Sequence, residues 1–320
     1  MGDIIGLLLP FFGLILIGYV AAKVTKQPAE ALGWMNTFII YAALPALFFK
    51  LVSRTPMEQL ARVDFILGEI FATYLIFTVV FLIGFLIRKT SFEDCTIQAF
   101  AGAYGNIGYM GPGLALLAFG EAAAVPVALI VCFENAAHFI VAPAMMAAAG
   151  GDGRSPLAVA GDIARKVLLH PFIISTAVGF AFAAMAWQPA EPVQRLVDYL
   201  AQAAAPCALF AMGVTLALRP VRRVPVEIGY IAAFKLIVLP LTTFSVLSLI
   251  GGFEPVWIYS ATLLSALPTA TNVFVISQQY GVWQERASAS ILIITLASVF
   301  TLPAILYLIH SGFLSAGLLP

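Results

Sequence analysis

The chain contains 320 residues, of which 62% are apolar and only 10% are charged, and its net charge is zero. A soluble domain is about 45–50% apolar and about 25% charged, so this composition excludes a water-soluble protein and predicts one whose solvent is the lipid bilayer. The balanced charge gives no indication of a nucleic-acid partner.

Ten apolar segments follow one another along the chain, each bounded by charged residues or by Gly and Pro. A helix needs about 20 apolar residues to cross the hydrocarbon core of a bilayer, and the segments have roughly that length. They cover residues 3–22, 33–52, 65–87, 96–119, 122–148, 167–187, 196–218, 226–250, 255–280 and 286–311. The sequence therefore predicts an all-α membrane protein with ten transmembrane helices.

The distribution of basic residues predicts the orientation of these helices. With the N-terminus outside, eleven Lys and Arg residues fall in inside loops and four in outside loops, as the positive-inside rule requires. We therefore expect a multi-pass protein of the cell (inner) membrane with both termini outside. The longest polar connection, 151–166, is then a cytoplasmic linker.

The fourth segment is a poor helix at its centre. Four glycines and a proline lie between Gly105 and Gly113; glycine costs backbone entropy and proline lacks a donor, so both interrupt a helix. Backbone groups freed inside a membrane must be satisfied by protein, water or ligand. We therefore predict a break here and a substrate site at the polar and small residues of the run, which are Asn106, Gly108, Gly111 and Pro112.

Ionisable residues occur inside the fifth and eighth segments, where they are costly and are usually functional. Glu134, Asn135 and His138 lie near the middle of the fifth segment, and Glu134 and His138 share a helical face. We predict that they bind a coupling ion, the alternative being a self-satisfied buried pair. Lys235 in the eighth segment is predicted to neutralise a substrate anion, with Glu134 or Glu69 as its protein partner. For Glu69, an interfacial position is an equal alternative.

The ninth segment is interrupted like the fourth. It contains Pro268, Thr269, Thr271 and Asn272 in sequence, and half-helix N-termini at such breaks carry partial positive charge that suits an anion. Paired interrupted segments are typical of midplane binding sites in transporters. The alternative is that Gly and Pro only allow close helix packing.

An internal repeat relates the two halves of the chain. At an offset of 161 residues, prolines, glycines and phenylalanines coincide at Pro10 and Pro171, Gly18 and Gly179, Pro45 and Pro206, Phe49 and Phe210, and Gly120 and Gly281. Five helices per half is an odd number, so the second half must insert upside down. We predict two inverted five-helix repeats, at 1–150 and 167–320, with breaks in register to within about a turn.

Three stretches resemble the auxin efflux carrier family, which belongs to the wider bile acid:sodium symporter superfamily, and the resemblance is to a bacterial-type member of that family. They run from Gly105 to Gly120, from Ala266 to Gly281 and from Ala287 to Leu308. The resemblance implies crossed broken helices 4 and 9, a core domain that moves elevator-fashion against a scaffold, carboxylate substrates such as auxin or malonate-type dicarboxylates, and a homodimer. Glu134 stands where a neutral polar residue is expected, which leaves a proton-coupled carrier or a cationic substrate open.

Together these features predict a secondary active transporter or facilitated carrier of a small organic anion, and no enzyme constellation stands out. The coupling ion is left open between a proton, sodium near Asn106, Glu134 and Asn272, and none; no other cofactor is expected. Alternatives are a membrane receptor or channel on the same scaffold, or a carrier of a cationic or neutral substrate that uses Glu134. The identity of the substrate and the direction of transport stay open.

Overall fold

The computed structural model describes residues 2–149, 161, 164–165, 168–218 and 224–315. Within these residues the regular structure is helical, apart from one isolated antiparallel bridge. The first half contains α1 (Gly2–Thr25), α2 (Gly33–Phe38), α3 (Leu44–Ser53), α4 (Met57–Leu60), α5 (Val63–Leu82), α6 (Phe92–Ala103), α7 (Gly111–Phe119) and α8 (Ala124–Ala148).

The second half contains α9 (Pro171–Ala184), α10 (Glu191–Leu218), α11 (Glu227–Ala233), α12 (Leu239–Ile250), α13 (Pro255–Ser265), α14 (Asn272–Tyr280) and α15 (Gln284–His310). Turns of π-helix join α2 to α3, extend α5 and join α11 to α12. The predicted linker 151–166 lies outside the described residues except for Gly161, Ala164 and Arg165.

All ten predicted apolar segments contain helix. Seven continuous helical stretches in the described part of the chain are long and apolar enough to cross a membrane, and α9 is a shorter apolar helix. The fourth and ninth segments are each divided into two short helices, α6 and α7 in one and α13 and α14 in the other. The all-α membrane class and the two predicted breaks are therefore confirmed.

The helices that follow the two breaks correspond closely. α7 and α14 each contain nine residues, and they begin and end 161 residues apart. Each ends at a glycine with positive φ, +72° at Gly120 and +71° at Gly281, a conformation that a side chain disfavours. Pro112 lies in the first turn of α7 whereas Pro268 precedes α14, so the prolines differ in position although the helices agree.

The chain folds into two compact units, each of which takes segments from both sequence halves. The first unit comprises residues 1–63, 108–132 and 168–220, and the second comprises 64–107, 133–167 and 221–320. In the first unit α1 packs on α10 and α3 packs on α9. The compact units therefore differ from the predicted repeats: each unit combines separate segments of the chain, whereas each repeat is one continuous half of it.

Glycines allow the close approach of helices in the first unit. A Cβ atom on Gly18 would collide with the backbone carbonyl of Phe210, and one on Gly179 would lie 3.3 Å from the carbonyl oxygen of Phe49. Small residues let membrane helices bring their backbones together in this way. Gly179 lies 161 residues after Gly18, and Phe210 lies 161 residues after Phe49, so the two contacts correspond to each other in the internal repeat.

Candidate functional site

The two chain breaks meet in the second unit. Gly105 and Thr269 form an antiparallel bridge. The Asn106 N–H donates to the Pro268 carbonyl at 2.8 Å, and the Ala270 N–H donates to the Tyr104 carbonyl at 2.9 Å. Each break therefore satisfies backbone groups of the other, which is what unwound backbone inside a membrane requires.

Side chains tighten this crossing. The Thr269 hydroxyl donates to the Ala101 carbonyl at 2.6 Å, so it satisfies a carbonyl in the last turn of α6. A Cβ on Gly105 would lie 3.2 Å from both the Leu264 carbonyl oxygen and the Lys235 Nζ. The lack of a side chain at Gly105 therefore lets the two segments pass each other with the ammonium beside them.

Tyr104 links the crossing to two amide side chains. Its hydroxyl donates to Asn135 Oδ1 at 2.5 Å and accepts from Asn272 Nδ2 at 2.8 Å. Asn135 is buried in α8, whereas Asn272 is the first residue of α14 and is half-buried. The phenol thus fixes the direction of the Asn272 amide at the start of the second half-helix.

His138 lies between a carboxyl group and a phenol. Its Nε2 is 3.0 Å from Glu134 Oε1, and its Nδ1 is 3.0 Å from the Tyr74 hydroxyl. The ring also packs against Tyr104, with 4.0 Å between ring centroids. An imidazole with one N–H and one lone pair can satisfy both polar partners, so the histidine joins α5 to α8.

Lys235 is fully buried in the π-helical turn Phe234–Val238, between α11 and α12. Its ammonium donates to the carbonyl of Ser265, the last residue of α13, at 2.5 Å. This contact satisfies a carbonyl that the end of a helix leaves open, and a cation suits that negative end of the helix dipole. Such π-turns often occur at functional positions.

Two acidic side chains attract the Lys235 ammonium electrostatically. They are Glu134 from α8 and Glu69 from α5. Their exposed fractions are 3% and 2%. Thr73, one turn along α5, donates to Glu69 Oε1 at 3.3 Å. Both carboxyl partners that the sequence offers for Lys235 are therefore present in the second unit, and Glu69 is buried within the protein.

The chain matches the family of proteins described as "Membrane transport protein" over residues 3–306. The chain belongs to this family. A protein of Rhizobium meliloti (strain 1021) named "Putative malonate transporter" is 64% identical to it over 320 residues, covering 100% of both chains. "Uncharacterized transporter YfdV" of Escherichia coli (strain K12) is 25% identical over 317 residues, covering 95% of this chain and 96% of that protein.

The molecule is therefore a membrane transporter and not an enzyme, and the resemblance to the auxin efflux carrier-type family is confirmed. In this transporter, the predicted residues Asn106, Pro268 and Thr269 come together at the crossing, and Asn272 is connected to it through Tyr104.

The other predicted residues are distributed over both units. Thr271 precedes Asn272 and is half-buried. Gly108, Gly111 and Pro112 belong to the first unit, where α7 begins at Gly111; they stay predicted members of the substrate site. Glu134, Asn135 and His138 lie in the second unit with Lys235.

Sequence reasoning missed Tyr104 and Tyr74. Both are aromatic residues in apolar segments, where packing or lipid contact is sufficient explanation for such a side chain. The position of Tyr104, directly before the first glycine of the broken run, is the one signal that could have drawn attention to it.

Among the described residues, no group of three or more His, Cys, Asp or Glu side chains is arranged to hold a metal ion. The oxygen-bearing side chains proposed for sodium, Asn106, Glu134 and Asn272, are of the hard type that alkali cations accept.

Proposed function

We propose that this transporter carries a small carboxylate of the malonate class across the cell (inner) membrane. The observation that carries the proposal is the crossing of the two broken helices, with the Asn272 amide held by Tyr104 at the start of α14. A helix N-terminus attracts anions, and an oriented amide donates hydrogen bonds to a carboxylate. The relative named as a malonate transporter, at 64% identity, suggests the substrate class.

The proposed architecture is ten transmembrane helices in two inverted five-helix repeats. Two features support it: the 161-residue offset between α7 and α14, and the matching approach of Gly18 to Phe210 and of Gly179 to Phe49. Carriers built in this way alternate their access by moving one body against another. We propose an elevator motion of the second unit, membership of the bile acid:sodium symporter superfamily, and a homodimer.

The proposed orientation places both termini outside. Under this proposal, a cysteine introduced at Glu191 reacts with a membrane-impermeant maleimide added to intact cells, and one introduced at Lys89 does not. The reverse labelling pattern would show that the chain inserts the other way.

The coupling ion is proposed to bind at Glu134, Asn135 and His138. A carrier of cations would also place a carboxylate here. The Lys235 ammonium already acts on Glu134 and Glu69, however, and it disfavours a second cation at this position. This arrangement favours an anionic substrate over a cationic one.

Uptake by purified transporter in liposomes tests the proposed function. We expect saturable uptake of labelled malonate, reduced at least about tenfold in Asn272→Ala, since loss of an oriented hydrogen bond to a charged ligand costs about 1.5–3 kcal/mol. Asn36→Ala, a change at an exposed residue of α2, is the matched control. Equal uptake by Asn272→Ala and wild type would refute the site, and unitary currents without saturation would identify a channel instead.

A further inference from the structure

Glu69 and Glu134 form a pair of acidic side chains between α5 and α8. Both are almost completely buried, and their carboxyl groups lie close enough to interact with each other. The contact between Tyr74 and His138 supports this placement, because these residues follow Glu69 and Glu134 by about one turn on the same two helices. An ionised carboxylate only accepts hydrogen bonds. Two adjacent buried carboxylates can neither bond to each other nor both stay ionised, so one of the two carboxyl groups holds a proton.

The two carboxyl groups and the charged side chain that faces them have a net charge of zero when the pair holds one proton. Lys235 faces it from the π-turn between α11 and α12, and it acts on both carboxyl groups. His138 and Tyr74 face it as hydrogen-bonding groups, with Tyr104 packed on the histidine ring. One ionised carboxylate and one ammonium sum to zero. Loss of the shared proton would leave a net negative charge buried in the membrane, which is costly without a compensating cation.

The pair is also connected to the proposed substrate site. Asn135, the residue after Glu134, accepts a hydrogen bond from Tyr104, which accepts one from Asn272 at the start of α14. An anion bound beside Asn272 would oppose ionisation of the second carboxyl group through the low dielectric of the protein. Anion and proton therefore favour each other's binding.

We propose that Glu69 and Glu134 together form a proton-binding site, that one proton moves with each carboxylate substrate, and that Lys235 supplies the positive charge that a sodium ion would otherwise bring. The pair takes up its proton before the substrate binds, and it releases the proton to water on the side where the substrate leaves. This inference names the coupling ion and adds Glu69 to its site. Its coupling part rests on the proposed function.

Proton-driven accumulation tests the coupling. For wild-type transporter in liposomes with the membrane potential held at zero, a gradient of one pH unit, acid outside, should give about tenfold accumulation of labelled malonate per coupled proton. Replacement of sodium by choline should leave that value unchanged. Glu69→Gln retains size and an N–H donor for Glu134 but cannot exchange a proton, so its ratio of accumulation to malonate self-exchange should fall by about the same factor. Glu58→Gln, at an exposed residue of α4, is the matched control.

Infrared difference spectroscopy of the purified protein tests the shared proton without any substrate. The wild type should show the carbonyl absorption of a protonated buried carboxyl group at neutral pH. Both Glu69→Gln and Glu134→Gln should lack it, so either variant suffices if the other does not fold. The inference would be overturned if either single variant keeps the absorption. It would also be overturned if Glu69→Gln accumulates malonate fully, or if accumulation requires sodium. A wild type that shows the absorption but carries no malonate supports the proton site and refutes the proposed cargo.

Discussion

Replacement of Tyr104 by phenylalanine removes one hydroxyl group and keeps the packed ring. That hydroxyl makes two hydrogen bonds, to Asn135 and from Asn272. A neutral hydrogen bond contributes about 0.5–1.5 kcal/mol, so the loss of two should cost about 1–3 kcal/mol of folding free energy. Release of the Asn272 amide should also weaken substrate binding, by up to about tenfold for each 1.4 kcal/mol that its orientation contributes.

Two assays separate these effects of Tyr104→Phe. Thermal unfolding of the solubilised protein should show a lowered Tm, and uptake into liposomes should show a raised KM for malonate. Tyr199→Phe, which removes the hydroxyl of an exposed residue in α10, should change neither quantity. If Tyr104→Phe has the same Tm and KM as the wild type, the phenol does not connect the crossing to the amides and the reasoning fails.

Three further changes test other parts of the structure. Lys235→Met should lower Tm strongly, since removal of the group that compensates a buried charge costs about 3–5 kcal/mol. Lys235→Met/Glu69→Gln/Glu134→Gln, which also removes the negative charge of the pair, should recover much of this loss, and no recovery would contradict charge compensation. Gly105→Ala should reduce both Tm and uptake because its methyl group would press on the Leu264 carbonyl; unchanged uptake would show that the crossing can widen. Gly18→Ala should destabilise the first unit by about 1–3 kcal/mol through overpacking. Gly13→Ala on the same helix is the control, because a Cβ atom there has no neighbour within 4 Å. Equal Tm values for the two variants would refute the close helix contact.

The helix breaks could be predicted from the sequence because their cause is local. Glycine and proline impair helical bonding wherever they stand, so the runs after Ala103 and Ser265 end their helices without help from distant residues. The burial of Glu134, His138 and Lys235 could also be predicted, because an ionisable residue in the middle of a membrane-spanning segment almost always faces the interior of the protein.

The partners of these residues could not be predicted, because they come from distant parts of the chain. Tyr104 bonds Asn135 and Asn272, which are 31 and 168 positions away. From the sequence, an interfacial position was an equal alternative for Glu69, and only the contact between Tyr74 of α5 and His138 of α8 indicates its place near Glu134. No sequence pattern predicts the π-helical turn that carries Lys235. The two compact units could not be predicted either, because they depend on contacts between distant parts of the chain.

Malonate counterflow is the most direct measurement of the central claim, that this chain is a carboxylate carrier with its site at the crossed helices. Liposomes that contain the wild type and are loaded with unlabelled malonate should transiently accumulate labelled malonate from outside. The accumulation should be saturable and should be lost in Asn272→Ala but not in Asn36→Ala. Labelled malonate that enters no faster than into protein-free liposomes, or counterflow that Asn272→Ala leaves intact, would contradict the account.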